Sequence, residues 1–226
     1  MLVKNWMTRD VIAVDEGASM QDAIAKLKES HIRMLPVLRD GRLAGIVTDR
    51  DLKRASASDA TTLDIHELLY LVKRIKVKDI MVKKVVSISE DYTVEEAAAV
   101  LLQNKISGAP VLADDGRLAG VITQSDLFKV LISLTGMKAR GIQFCLQIKD
   151  EPGTIKVFAD IIRKYQGKVA SILTTYDQVP EGFRKVYFRF SGVDRLKLKD
   201  LIGEVGEKGR LLYMVDHREN ERYFYE

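Results

Sequence analysis

An internal repeat constrains this chain more than any other feature. Pro36-Val37-Leu38 followed by Gly41-Arg42-Leu43-Ala44-Gly45-Ile46-Val47-Thr48-Asp49-Arg50-Asp51-Leu52 returns as Pro110-Val111-Leu112 followed by Gly116-Arg117-Leu118-Ala119-Gly120-Val121-Ile122-Thr123-Gln124-Ser125-Asp126-Leu127. Upstream, Met7 answers Met81, Val11 answers Val85, Val14 answers Ile88 and Glu16 answers Glu90. The offset is 74 residues and becomes 75 after one extra acidic residue, Asp115. A repeat fixes the folding unit before any local assignment, so the chain holds two like units. It also keeps a polar pair, Thr-x-x-Asp, that an apolar core alone does not require.

Each copy predicts the order β-α-β-β-α. Val11–Val14 and Val85–Ile88 are short β-branched runs that read as strands. Ser19 and Thr93 open helices whose apolar residues (Met20, Ala23, Ile24, Leu27; Val94, Ala97, Ala98, Leu101) form one face, with Asp22 and Glu96 at the acidic position of a capping box. A second strand through Leu35–Leu38 turns at Asp40-Gly41 into Leu43–Val47, since Asp-Gly between apolar runs marks a hairpin. A short helix from Asp49, or Ser125, closes each copy. A three-strand unit with one open face buries its surface poorly alone, so the copies are expected to pack face to face. Between them, Ala55–Thr62 reads as a loop and Asp64–Lys73 as a connector helix.

The bulk numbers exclude several classes of function. With 36 basic and 32 acidic side chains interspersed, a net charge of +4 is too mild for a nucleic-acid or anionic-membrane partner. The lone Cys145 forms no intrachain disulfide, sits in an apolar strand-like run, and fits a reducing compartment. No signal pattern or membrane-length apolar run is present, so a cytoplasmic protein is expected. His31, His66 and His217 are scattered, without nucleophile or metal spacing, so no catalytic residue and no metal site is expected.

The motif Gly-h-h-Thr-x-x-Asp-Leu (h, apolar), at Gly45–Leu52 and Gly120–Leu127, resembles that of cystathionine-β-synthase (CBS) domains, which occur as tandem pairs called Bateman modules. The apolar-Pro-Val strand before it and the Met lead-in belong to the same resemblance, which covers roughly residues 1–135. One reading of Thr-x-x-Asp is a helix N-cap. The other uses the same geometry: a helix N-terminus and a Thr hydroxyl meet a phosphate, and the carboxylate accepts from a ribose diol. The resemblance assigns these roles to Thr48 with Asp51 and Thr123 with Asp126. It implies an adenine slot lined by Val11, Val14, Ile32 and Leu35 in one copy and Val85, Ile88, Ile106 and Ala109 in the other; simple core is the alternative for most of them. His31 and Arg33 in one copy, and Lys105 in the other, are candidate phosphate partners, with Arg50 a further one. An exposed salt bridge is the alternative for Arg33. Unequal sites are expected.

After Gly136 the character changes. Ile142–Ile148 alternates as a strand, Ile155, Phe158, Ala159 and Ile162 make a helical face that Gly167 stops, and strands are predicted at Val169–Tyr176 and Lys185–Phe190. A helix near Arg195–Glu204 and a strand at Leu211–Val215 complete a ferredoxin-like β-α-β-β-α-β order. The Asp-x-Pro-Gly loop of Asp150, Pro152 and Gly153, in this order of elements, resembles the ACT domain, whose ligand-binding members hold an amino acid there. A plain tight turn is the other reading. A CBS pair followed by ACT is similar to the acetoin-utilisation protein B family, as are the stretches His31-Ile32-Arg33 and Asp49–Lys53.

The expected fold is therefore α+β: CBS units at 1–62 and 77–135 packed as a pseudo-twofold pair, a connector at 63–76, an ACT domain at 140–217 and a tail at 218–226. The expected function is a non-catalytic sensor of carbon metabolism that binds AMP, ADP, ATP or S-adenosylmethionine between the CBS copies and forms a homodimer. The rivals are a ligand-free dimerisation or partner-docking protein, and an accessory enzyme of acetoin catabolism.

Overall fold

The computed structural model describes residues 1–58 and 74–225, which divide into two compact units at Phe128/Lys129. The connector helix predicted at Asp64–Lys73, and His66 with it, lie outside the described residues.

The first unit contains both copies of the repeat. In the first, β1 (Val14–Asp15), α1 (Met20–Glu29), β2 (Met34–Arg39), β3 (Arg42–Thr48) and α2 (Asp49–Ser58) follow in order, and α3 (Val77–Ile80) comes after the connector. In the second, β4 (Ile88–Ser89), α4 (Val94–Gln103), β5 (Gly108–Leu112), β6 (Leu118–Thr123) and α5 (Gln124–Leu134) repeat the pattern. Each sheet has three strands, β1-β2-β3 and β4-β5-β6, with the first pair parallel and the second antiparallel. Both predicted capping boxes form: Ser19 Oγ accepts from Asp22 N, and Thr93 Oγ1 accepts from Glu96 N. Asp40 and Gly41 both take positive φ, 50° and 74°, the two-residue turn whose twist matches a hairpin.

Three details depart from the sequence reading. The strands predicted from Val11 and Val85 shrink to Val14–Asp15 and Ile88–Ser89. In the first copy Val11 N–H turns back to Arg9 O (2.9 Å), and Lys26 Nζ takes Ala13 O (2.8 Å), which leaves no ladder for a longer strand. The loop expected from Ala55 is helical as far as Ser58, because α2 continues through the small residues.

The third departure is an exchange. Met1–Thr8 does not complete the first copy. Thr8 N–H donates to Val121 O (2.9 Å) and Val121 N–H to Thr8 O (3.0 Å), while Val3 and Met7 join the core of Ile88, Ala97, Leu101, Val111 and Ile122. The equivalent segment 75–82 closes the first copy: Ile46 N–H donates to Val82 O (3.0 Å), Val82 N–H to Ile46 O (2.8 Å), and Val77 and Met81 join Val14, Met20, Leu35 and Val47. The two crossings obey the repeat's offset, 74 residues from Thr8 to Val82 and 75 from Ile46 to Val121, so the pair has an approximate twofold relation in its hydrogen bonds.

This closure needs glycine. A Cβ on Gly45 would lie 2.6 Å from Met81 Sδ and 3.0 Å from Val82 O; one on Gly120 would lie 2.6 Å from Met7 Sδ and 2.8 Å from Thr8 O. The methionine tips can yield, but the backbone oxygens belong to the ladder.

In the second unit, β7 (Ile142–Lys149), α6 (Thr154–Lys164), β8 (Lys168–Thr175), β9 (Phe183–Ser191), α7 (Leu198–Lys208) and β10 (Arg210–Asp216) give the order β-α-β-β-α-β. With β11 (Glu221–Phe224) at one edge, the antiparallel sheet runs β11-β10-β7-β9-β8. Phe144, Leu146, Ile148, Val186, Phe188 and Phe190 pack on Phe158, Ile162, Leu201 and Val205 from the two helices. Helix α6 ends at Lys164 with Gln166 in the left-handed region (φ 63°), so the stop comes one residue before Gly167. The additional strand β11 (Glu221–Phe224) occupies part of the stretch read as a tail. Asp216, almost wholly buried, pairs with Arg195 and accepts the N–H groups of Arg218 and Glu219, which folds the turn between β10 and β11.

Gly120→Ala is expected to lower the unfolding free energy by about 1–3 kcal/mol through overpacking. Gly203→Ala, exposed on α7 with open space around it, is expected to raise it by about 0.5–1 kcal/mol through helix propensity. Urea titrations compare the two; equal effects would contradict the closure described.

Candidate functional site

The candidate site is built twice, at the two strand-to-helix turns. At the end of β3, Thr48 Oγ1 donates to Asp51 Oδ2 (2.6 Å), Thr48 N–H donates to the same oxygen (3.0 Å), and Asp51 N–H returns to Thr48 Oγ1 (3.3 Å). Asp51 Oδ1 accepts from Arg54 Nη2 at 2.8 Å. At the end of β6, Thr123 N–H and Oγ1 donate to Asp126 Oδ2 at 3.0 and 2.7 Å. Both pairs therefore act as helix caps.

Capping does not account for where they lie. The capping boxes at Ser19–Asp22 and Thr93–Glu96 keep their carboxylates exposed, whereas Asp51 and Asp126 are 8% and 4% exposed. A carboxylate loses solvation on burial and is costly to retain there. These turns use buried acids where exposed ones serve elsewhere in the same chain.

The turns also bring the entry of β2, or of β5, beside the helix. Asp49 N–H donates to Arg33 O (3.2 Å), and in the second copy Gln124 N–H donates to Ser107 O (2.9 Å). Arg33, Thr48 and Asp51 are thereby neighbours, as are Ser107, Thr123 and Asp126. Among the described residues the exposed Arg33 makes no ion pair, so the salt-bridge reading does not hold there; Arg50, His31 and Lys105 are likewise exposed and without one. His31 and Lys105 share a further property: each ends a helix in the left-handed region, at φ 52° and 54°. The next N–H closes that turn, Ile32 to Leu27 O and Ile106 to Leu101 O, both at 3.0 Å. Glycine suits this position, and a side chain there costs about 1–2 kcal/mol. The repeat keeps a nitrogen-bearing side chain in both copies.

The slot residues separate into two groups. Val14, Leu35, Ile88 and Ala109 are fully enclosed in the two cores. Val11, Ile32, Val85 and Ile106 are half-buried and keep surface that can meet a flat ring.

In the second unit, Asp150 N–H donates to Gly182 O (2.9 Å), and its carboxylate lies 3.3 Å from Arg184 Nε and 3.5 Å from the Tyr176 hydroxyl. Pro152 and Gly153 are exposed, and Gly153 (φ 85°) starts α6. Arg184 and Tyr176 were not singled out in the sequence; the hairpin between β8 and β9 brings them to Asp150. No group of three or more His, Cys, Asp or Glu side chains among the described residues is arranged to hold a metal. No helix among them is long and apolar enough to cross a membrane.

These turns, at these spacings, are those of a known family. The CBS domain family matches residues 3–58 and 77–133, and the chain belongs to it. A CBS domain-containing protein of Dictyostelium discoideum is 35% identical over 135 residues, covering 59% of this chain and 93% of its own. Inosine-5'-monophosphate dehydrogenase of Methanocaldococcus jannaschii is 34% identical over 122 residues, which cover 54% of this chain but only 22% of the enzyme. Among solved structures, a candidate acetoin utilization protein (AcuB) from Vibrio cholerae superposes with a TM-score of 0.52 at 26% identity, over 62% of this chain and 96% of that one.

Cys145 is buried, and burial pushes its thiol up from the ordinary value, against opposing hydrogen bonds from Tyr213 and Tyr187. A thiol must ionise to attack. The native protein at pH 8 is therefore expected to leave a thiol-reactive dye untouched until denaturant is added; rapid labelling of the folded chain would contradict this burial.

Proposed function

We propose that this chain is a non-catalytic sensor whose CBS pair binds an adenosine compound (AMP, ADP, ATP or S-adenosylmethionine) at two unequal sites. The observation that carries the reading is the burial of Asp51 and Asp126 beside exposed caps of the same design. In each site the ribose hydroxyls donate to the carboxylate, displacing Arg54 from Asp51 Oδ1 in the first copy, while Thr48 or Thr123 and the helix N-terminus meet the phosphate. Val11 and Ile32, or Val85 and Ile106, contact the adenine. Arg33 and Arg50 give the first copy more positive charge than Lys105 gives the second, where Ser107 and Ser125 stand at the matching positions, and His31 adds a ring nitrogen.

Ligand binding shifts the arrangement of the pair by as much as its affinity differs between the two states. The second unit is proposed to be an ACT domain that couples to this shift, with Asp150, Pro152 and Gly153 as its amino-acid loop. The likeness to the Vibrio cholerae protein supports a role in acetoin-linked carbon metabolism. A homodimer fits the exposed apolar side chains of Phe128, Leu131 and Ile132 on α5. The matched part of the dehydrogenase is a minor share of that enzyme, which supports a regulatory rather than a catalytic reading.

A thermal-shift panel of AMP, ADP, ATP and S-adenosylmethionine tests the proposal. At least one is expected to raise Tm, since a ligand at 100 times its Kd adds about 2.7 kcal/mol. Asp51→Ala with Asp126→Ala is expected to abolish the rise, each protein being read against its own baseline. No rise with any compound, or an unchanged rise in the double variant, would favour the ligand-free docking protein. His31→Gly should stabilise the free chain by about 1–2 kcal/mol by relieving the left-handed strain and should weaken the ligand's effect. Stabilisation without weakening would remove His31 from the site.

A further inference from the structure

The sheet of the second unit has a face turned away from α6 and α7, and one side chain on it is left without its complement. Because side chains alternate along strands, Gln143, Cys145, Tyr187 and Arg189 point opposite to the phenylalanine core. Arg189 stands between Gln143 on β7 and Ser171 on β8 in the register of the sheet. It is 5% exposed. Its Nη2 donates to Gln143 Oε1 at 2.8 Å, but its Nε and Nη1 are buried with no hydrogen-bond partner, and no described carboxylate pairs with it. The His217 ring lies on the same amide, Nε2 to Gln143 Oε1 at 3.4 Å. Gly136 covers the arginine stem, its Cβ position 3.5 Å from Arg189 Cδ and 3.2 Å from Ala170 Cβ, and Thr135 O accepts from Ser171 Oγ at 2.9 Å.

An arginine cannot escape burial by losing its proton, and buried N–H groups without acceptors cost free energy. An anion would supply what is missing. We propose that Arg189, Gln143 and His217 form a binding site for a small carboxylate monoanion. A planar carboxylate matches a guanidinium fork, and one negative charge neutralises the single buried cation where a dianion would leave an excess. Burial and the adjacent Arg189 charge hold His217 below its ordinary range, so its neutral ring adds a polar contact without a second charge. This site is separate from the Asp150 loop and stands independently of nucleotide binding by the CBS pair.

Isothermal titration of the full chain with sodium acetate and sodium propionate in chloride buffer, with phosphate in a parallel arm, tests it. Saturable binding of one carboxylate per chain is expected, weakened at least tenfold in Arg189→Met. Gln143→Glu places a carboxylate within hydrogen-bond reach of Arg189, so it is expected to raise Tm and to abolish acetate binding. No carboxylate binding by the wild-type chain, or undiminished binding in Gln143→Glu, would overturn the proposal. Phosphate binding that is lost with Arg189→Met would overturn the choice of a monoanion.

Discussion

The exchanged lead-in segments hold the first unit together. Each three-stranded sheet has an outer edge on β3 or β6, and a methionine-bearing segment from elsewhere in the chain covers it. Met81 lies against Gly45 and Met7 against Gly120, with a backbone oxygen of Val82 or Thr8 close behind. An open edge would be a pairing hazard and would leave N–H and C=O groups unpaired. The second copy therefore depends on the N-terminal segment, far from it in sequence. Neither copy is self-sufficient, and the repeat acts as one folded pair.

That closure also sets the candidate site. The edge residues Ile46 and Val121 lie two positions before Thr48 and Thr123, so the ladder that fixes the edge also fixes the start of α2 and α5. Two hydrogen bonds from each threonine then hold the aspartate oxygen, and the buried carboxylate is presented in one orientation. Pre-orientation of this kind limits the entropy lost on binding. The contrast with Asp22 and Glu96 separates an exposed cap from one whose acid is buried. The surrounding cations differ between the copies, so equal frames carry unequal charge.

Much of this was legible in the residues. Offset repeats, Asp-Gly turns and capping boxes are local patterns, and each helix they mark is present among the described residues. The Thr-x-x-Asp pairs were visible for the same reason. The edge exchange was not, because Met7 and Met81 hold equivalent places in the repeat and their crossing depends on long-range pairing. Strand β11 was obscured by its charged sequence, Glu221 and Arg222 beside the turn, and depends on Asp216 anchoring that turn. Arg189 sits in a run that alternates as any half-buried strand does, and only the packed sheet shows that its Nε lacks an acceptor.

We propose that two like turns bind one class of ligand with different strength. Backbone amide NMR during an AMP titration tests it most directly, because Thr48, Asp51, Thr123 and Asp126 each report from within a turn. Both sets of amides are expected to shift and to saturate at different AMP concentrations. Amides that stay unmoved at both turns, or that move together along one binding curve, would contradict it.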